Sequence, residues 1–203
     1  MNKMTLTYFD IDGGRAEPIR LAMHTGGIEF VDERFGFSEF PSVREKTPLR
    51  QVPVLMLNER QVTQSNSILR YVGKQADLYP QDDFQALLCD EVLDAIEDAT
   101  HKLVATFGLS GEELKTARQS LVAGPLKQYL QWAQAKLEQG GGDYFIENRL
   151  SIADLKVFVW TRALSAGHLD FIPTDLVESC APKLHRHMKF IAALAPVSQY
   201  YQK

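Results

Sequence analysis

The chain is predicted to fold as an α/β module followed by an all-α module, and three observations predict it. Residues 1–75 alternate between strand-like and helix-like apolar spacing. From Phe84 onward the spacing stays helical. Residues 1–80 carry ten Lys/Arg and ten Asp/Glu while the remainder carries twelve and sixteen, so the whole excess of negative charge falls in the second part. At 203 residues the chain fits one large domain or two small ones, and 45% hydrophobic with 24% charged residues is a globular composition able to bury a core.

The elements follow in order. Thr5–Phe9 and Ile28–Asp32 read as strands, and Ala16–Thr25 between them as a helix with Pro18 in its first turn and Gly26-Gly27 past its end. After an irregular stretch come the apolar run Val52–Leu57, a turn at Asn58-Glu59-Arg60, a short strand at Gln61-Val62-Thr63 and a helix from Ser65 to Gln75. A βαβ unit followed by ββα is the order of a thioredoxin-like module. Leu78–Asp83 reads as a linker, giving units at 1–77 and 85–203 joined by 78–84. In the second unit Phe84, Leu87, Leu88, Val92, Ala95, Ile96, Ala99 and Leu103 share one helical face, and further helices are predicted at 112–122, 125–139, 152–166 and 182–194. Ser151-Ile152-Ala153-Asp154 has the spacing of a capping box, flanked by a Leu150/Leu155 staple.

Several function classes are excluded or disfavoured. A net charge of −4 argues against a nucleic-acid footprint. The longest uncharged run, Phe190–Gln202, is too short and too polar for a membrane span, and the first six residues lack a signal-peptide core, so a cytoplasmic location is expected. Cys89 and Cys180 form no Cys-x-x-Cys motif, and His24, His101, His168, His185 and His187 do not cluster, so neither dithiol redox chemistry nor a metal site is expected. Trp132 and Trp160 sit in apolar helical stretches and read as core.

Four places are suited to chemistry. Tyr8 closes the first strand ahead of a glycine-containing loop, Asp10–Glu17, that delivers Arg15 to a helix entrance; this is the edge where α/β modules bind ligands, although an ordinary strand aromatic would read the same way. In Gln51-Val52-Pro53-Val54 a proline opens a strand, which fits either a cis bond presenting the Val52 backbone to a peptide-like ligand or a simple edge proline. Gln64-Ser65 joins a strand to a helix, so the hydroxyl and first helical N–H groups suit a carboxylate and equally a plain N-cap. Asp82, Asp83, Asp90, Glu91, Asp94, Glu97 and Asp98 carry no interleaved cation; they form a solvated acidic face, or meet a cation from a ligand or another subunit.

Taken together these segments resemble the cytosolic glutathione transferases of the tyrosine-using kind, and the sigma class most. The likeness rests on Thr7–Asp10 with Gly14–Arg20, on Thr47–Val54, on Gln64–Tyr71 and on Leu150–Asp154, and runs the length of the chain. It implies a thioredoxin-like domain that binds glutathione as co-substrate, without metal, a helical domain completing an electrophile pocket, and a homodimer. By position Tyr8 would hydrogen-bond the glutathione sulfur and hold it as thiolate, with Arg15 as the nearby cation. Val52 beside a cis Pro53 would pair with the cysteinyl backbone, Gln64 and Ser65 would take the γ-glutamyl carboxylate, and Phe40, Arg44 and Gln51 would meet the glycyl end. Asp98 would reach the γ-glutamyl amine from the other subunit. Phe9, Val104, Phe107, Lys156 and Trp160 would line the electrophile pocket. The family's serine- and cysteine-using members carry that residue near the end of the first strand, but this chain has no serine before Ser38 and no cysteine before Cys89. There are departures: the loop from Tyr8 to Arg15 is one residue longer than in the vertebrate sigma enzymes, Asp12 stands where arginine is common, Phe40 replaces a frequent tryptophan, and Arg44 and Gln51 replace frequent lysines. Conjugation of small hydrophobic electrophiles, with peroxide reduction beside it, is the implied activity. A catalytically idle binding or structural role, or a glutathione-dependent isomerase, is the alternative.

Overall fold

The computed structural model describes residues 4–202; Met1-Asn2-Lys3, on which half of the signal-peptide reading falls, and Lys203 lie outside the described residues. The first unit is a four-stranded mixed sheet in the order β2-β1-β3-β4, built from β1 (Met4–Phe9), β2 (Val31–Phe35), β3 (Val54–Leu57) and β4 (Arg60–Val62). β1 runs parallel to β2 and antiparallel to β3, with Thr7 opposite Glu33 on one side and Val54 on the other. Helices α1 (Glu17–Thr25) and α3 (Ser65–Gln75) pack against each other, and a short α2 (Phe40–Arg44) occupies the stretch expected to be irregular. α1 begins and ends where its proline and glycines require, and β1 alternates buried and half-buried positions as a strand with one face on the core must.

β2 lies three residues beyond its predicted place. Its half-buried positions are Asp32 and Arg34, with Phe35 its one buried residue, and the two charges are tolerated because Arg20, fully buried in α1, bonds Asp32 at 3.0 Å while Arg34 Nε bonds the other Asp32 oxygen at 2.7 Å. An ion-paired edge strand carries no alternation of apolar residues to find.

The helical part comprises α4 (Asp83–Val104), α5 (Gly111–Leu121), α6 (Lys127–Gln139), α7 (Ile152–Ser165), α8 (Leu176–Cys180), α9 (Pro182–Ala193) and α10 (Ala195–Tyr200). Asp82 caps α4, accepting the N–H groups of Phe84 and Gln85. α5 and α6 are joined through a π-helical turn at Val122–Leu126, which absorbs Pro125 without ending the helix. The short α8 and α10 had no sequence signal long enough to find. α7 is the central helix, buried along Ile152–Thr161 and packed on α4, α9 and α1. It starts at the predicted capping box: the fully buried Asp154 carboxylate accepts the Ser151 N–H at 2.8 Å, the Ser151 hydroxyl at 2.7 Å and the Phe145 N–H at 3.0 Å, and meets His187 Nε2 at 2.9 Å. Leu78, Tyr79 and Pro80 are buried, and the Leu78 carbonyl accepts the Ile152 N–H at 2.9 Å, so the segment between α3 and α4 is packed against the start of α7.

Candidate functional site

The site forms where the end of β1, the loop into α1, the start of α3 and the middle of α4 and α7 converge. Tyr8, 6% exposed, closes β1 with its ring edge-on to Phe9 and beneath the Arg20 guanidinium. Its hydroxyl oxygen accepts the Arg15 backbone N–H at 3.1 Å. Gly14 makes that approach, at φ +68 with a would-be Cβ only 2.5 Å from the Tyr8 hydroxyl. The phenol oxygen is thus engaged as an acceptor while its own proton has no acceptor among the described residues. Burial pushes the Tyr8 pKa above the ordinary 10, outweighing the Arg15 N–H and the Arg15 and Arg20 charges. At neutral pH it is a hydrogen-bond donor, not a phenolate.

Beside it is a three-residue charge cluster. Glu97 of α4 accepts Arg15 Nε on one oxygen at 2.6 Å and Lys156 Nζ on the other, also at 2.6 Å. The Glu97 oxygen that accepts Lys156 also faces the Ser65 hydroxyl, which donates to it at 3.5 Å, and His101 Nε2 stands 3.8 Å from the oxygen that holds Arg15. Burial pushes the Glu97 carboxyl up, but Lys156 and Arg15 outweigh it and hold it at about 2. Burial lowers the Lys156 pKa below the ordinary lysine range, with Glu97 working against it. This cluster ties Ser65 to the loop that carries Arg15 beside the Tyr8 hydroxyl.

The remaining residues fall into place around it. Val52-Pro53 is a cis peptide, and the β1–β3 ladder stops at Thr7 opposite Val54, so Val52 lies beyond the register. Gln64, exposed at φ +72, precedes Ser65, which is 7% exposed at the first position of α3. Phe40 belongs to an aromatic group with Phe9 (5.0 Å between ring centres) and Phe35, and Arg44 covers its ring. Arg44 and Gln51 are exposed. Asp98 is exposed on α4 with no ion pair among the described residues.

Of the residues expected to line an electrophile pocket, Phe9 and Val104 are half-buried, and Phe107 is 57% exposed and covered by Arg118. Trp160 is 6% exposed, its indole nitrogen without a hydrogen-bond partner among the described residues. Lys156 is 4% exposed, and its ammonium is taken up by Glu97.

One expectation about the charges needs correction. The acidic run is not merely a solvated face, and its cations come from the same chain: Arg70 spans Asp90 and Asp94, Lys136 reaches Glu91, and Arg15 and Lys156 take Glu97. Asp12, unusual at its position, is used by Arg34 at 3.1 Å, which also meets Asp10. Glu97 is the site residue that sequence reasoning missed. A signal existed in Lys156, a cation in an apolar helix whose one acidic neighbour there, Asp154, belongs to the capping box two residues away on another face, so that it must find a carboxylate elsewhere.

A thioredoxin-like sheet with a tyrosine at the end of its first strand, a hydroxyl-bearing helix start and a helical domain closing over both defines a glutathione-binding transferase. The comparisons agree. Residues 4–74 match the model of the glutathione S-transferase N-terminal domain and residues 97–203 that of its C-terminal domain. Glutathione S-transferase 3 of Caenorhabditis elegans is 32% identical over 88% of this chain and 89% of its own length. Glutathione S-transferase S1 of Drosophila melanogaster is 29% identical over 98% of this chain and 78% of its own. Among solved structures, prostaglandin synthase D of Nilaparvata lugens superposes with a TM-score of 0.88 at 25% identity, covering 99% of this chain and 98% of that one. The Fasciola hepatica sigma class enzyme follows with 0.85 and 25%, covering 99% and 96%. The chain belongs to the glutathione S-transferase family, and its activity is that of the family, glutathione transfer.

Proposed function

We propose that the protein binds glutathione in the groove between β1, α3 and the Val52-Pro53 edge, and adds its sulfur to small hydrophobic electrophiles. The observation that carries this reading is the Tyr8 hydroxyl: its oxygen is held by the Arg15 N–H, its proton has no protein acceptor, and its raised pKa keeps that proton in place. Such a donor lowers the pKa of a bound thiol. A free thiol near pKa 8.5 is mostly protonated at neutral pH, and a drop of two units needs about 2.7 kcal/mol of preferential thiolate stabilisation. One charge-assisted hydrogen bond contributes roughly 1.5–3 kcal/mol, and Arg15, whose terminal nitrogens have no partner among the described residues, adds its charge. The thiol proton leaves to solvent. The thiolate then forms a C–S bond, and with an aryl halide the C–halogen bond breaks and halide departs.

In this reading Val52 and Pro53 align the cysteinyl backbone, Gln64 and Ser65 take the γ-glutamyl carboxylate, and Phe40, Arg44 and Gln51 meet the glycyl end. Phe9, Val104, Phe107, Lys156 and Trp160 border the electrophile side. Residues 1–77 supply the glutathione-binding unit, 78–84 the linker and 85–203 the helical unit. The working form is a homodimer in the cytoplasm. Phe84 and Leu87, 60% and 62% exposed, share with Glu91, Asp94 and Asp98 the outer stripe of α4, which supports that face as the subunit contact and Asp98 as the residue that crosses to the partner's glutathione amine.

The test is retention on immobilised glutathione together with turnover of a generic aryl halide. Tyr8→Phe is expected to retain binding and lose most turnover; unchanged turnover overturns the role of Tyr8, and binding without turnover on any electrophile favours the idle reading. The likeness to a prostaglandin synthase supports glutathione-dependent isomerisation as a second reading, checked by supplying a prostaglandin endoperoxide in the same assay.

A further inference from the structure

We propose that Lys156 is a positioning residue for the thiolate chemistry, holding Glu97 so that the Arg15–Glu97–Lys156 cluster presents a net positive charge and two free guanidinium nitrogens to the glutathione sulfur. The inference rests on the thiolate reading above.

It starts from a mismatch between the lysine and its surroundings. Lys156 lies in the most apolar helix of the chain between buried Leu155 and Val157, and is itself 4% exposed. An ammonium there costs several kcal/mol unless it is paired. Glu97 supplies the partner at 2.6 Å, but Glu97 does not need Lys156 for its own neutralisation, because Arg15 bonds its other oxygen at the same distance. Two cations on one carboxylate leave one positive charge in excess.

That excess is placed where it can act. Each Glu97 oxygen has its own cation, so the lysine fixes the rotation of the carboxylate and thereby the direction in which the Arg15 side chain lies. Only Arg15 Nε is used by Glu97, and the other guanidinium nitrogens have no hydrogen-bond partner among the described residues. The same Arg15 donates its backbone N–H to the Tyr8 hydroxyl, so the cluster and the thiol-facing phenol are mechanically one unit. The charged and titratable groups that face Lys156 and Glu97 are Arg15 and Tyr8 from the first unit and Asp94, Glu97 and His101 from α4; of these Asp94 is turned toward Arg70, and His101 is largely exposed. With Glu97 ionised, Lys156 and Arg15 decide the sign of the potential at the sulfur.

The experiment measures the pKa of bound glutathione by its thiolate ultraviolet absorbance, and kcat and KM for aryl halide conjugation, across Lys156→Met, Lys156→Gln and Lys156→Arg in the full-length protein. Removing a unit charge from a partly screened cluster beside an ionisable group shifts its pKa by about half a unit to one unit. Lys156→Met is therefore expected to raise the bound thiol pKa by that amount and to lower kcat about three- to tenfold at mildly acidic pH, with KM for glutathione within about twofold. Lys156→Gln keeps a donor on Glu97 and removes only the charge, so it should behave alike, and it carries the test if the methionine variant fails to fold. Lys156→Arg should stay closer to wild type than either. A folded Lys156→Met or Lys156→Gln with a wild-type thiol pKa overturns the proposal, as does an equal loss in all three variants. Tyr8→Phe, titrated alongside, separates the two levels. If wild type itself binds no thiolate, the site reading falls; if Tyr8→Phe raises the thiol pKa and the Lys156 variants leave it, only this inference falls.

Discussion

The close approach of Gly14 to Tyr8 converts directly into an experiment. In Gly14→Ala the new methyl carbon would lie 2.5 Å from the Tyr8 hydroxyl, 3.2 Å from Cε1 and 3.3 Å from Cζ, at a backbone φ of +68. The left-handed conformation costs a non-glycine residue about 1–2 kcal/mol. Relieving the overlap adds about 1–3 kcal/mol, because the Tyr8 ring is wedged against Phe9 and Arg20 and cannot swing aside freely. The sum is about 2–5 kcal/mol, which for a chain of this length lowers the unfolding midpoint by roughly 5–12 °C. The alternative relief is a shift of the loop, and that loop carries both the N–H that holds the phenol and the Arg15 side chain. Either way the donor and the cation part company, and an ångström of misplacement in a reacting constellation costs up to about a hundredfold. The expected result is a ten- to hundredfold fall in kcat with an aryl halide, roughly, accompanied by a lower melting temperature. Gly13→Ala is the control: no atom lies within 4 Å of its would-be Cβ and its φ is not positive, so stability should change by less than about 0.5 kcal/mol. A Gly14→Ala protein with wild-type melting and turnover would refute the geometry on which the whole site depends.

Three further outcomes follow from buried polar groups. Asp154→Ala strips partners from the Phe145 N–H, both Ser151 donors and His187 at once and should cost about 3–5 kcal/mol by urea denaturation, against about 1 kcal/mol for Ser151→Ala. Burial pushes the Cys89 thiol up to about 12, so an aromatic disulfide reagent should titrate Cys180 in the native protein and Cys89 only after unfolding. Glu97 gives the acid limb of stability. Its folded pKa of about 2 is depressed from 4.5, so its contribution, on the order of 3 kcal/mol, is present above about pH 4.5 and is lost as pH falls toward about pH 2. In Glu97→Gln the denaturation midpoint should vary less across that window than in wild type, and an unchanged slope would remove Glu97 from the account.

What could be read from the sequence and what could not divides along the range of the interactions involved. α3 spans Ser65–Gln75 and α7 starts after Ser151 as expected, and the second boundary is set by groups within a turn of one another, the Ser151/Asp154 box. The site residues at Tyr8, Pro53 and Ser65 could be named because each sits at a strand-to-helix or loop-to-strand junction that is punctuated by glycine or proline. β2 slipped because its register is set by pairing with β1 across an intervening helix, and because Asp32 and Arg34, which pair with each other, also depend on partners from other elements: Arg20 for Asp32, and Asp10 and Asp12 for Arg34. The π-helical turn at Val122–Leu126 escaped for the opposite reason: Gly124-Pro125 is a strong local stop signal overridden by the packing of the helices on either side.

The acidic run shows why a charge pattern alone underdetermines a site. Asp90, Asp94 and Asp98 recur every four residues, a spacing unfavourable in an isolated helix, and taken alone the pattern describes a solvated face. The fold offsets the penalty at Asp90 and Asp94. Arg70, projecting from α3, bridges Asp90 and Asp94, while Asn66 donates to Asp94 at 2.7 Å and to the Leu93 carbonyl at 3.1 Å. These contacts tie α3 to α4 and so set the distance between Ser65, at the head of α3, and Glu97, one turn further along α4. Glu97 lies on the flank of the buried stripe formed by Leu93, Ile96 and Ala99, which aims it between the two units and not outward like Asp98. A carboxylate there can be satisfied only by cations brought from elsewhere, and the chain supplies one from each side: Arg15 from the glutathione-binding unit and Lys156 from the centre of the helical unit. The acid is therefore a joint between the two halves of the molecule, and any displacement of α4 against the sheet is transmitted to the Arg15 loop that holds the Tyr8 hydroxyl.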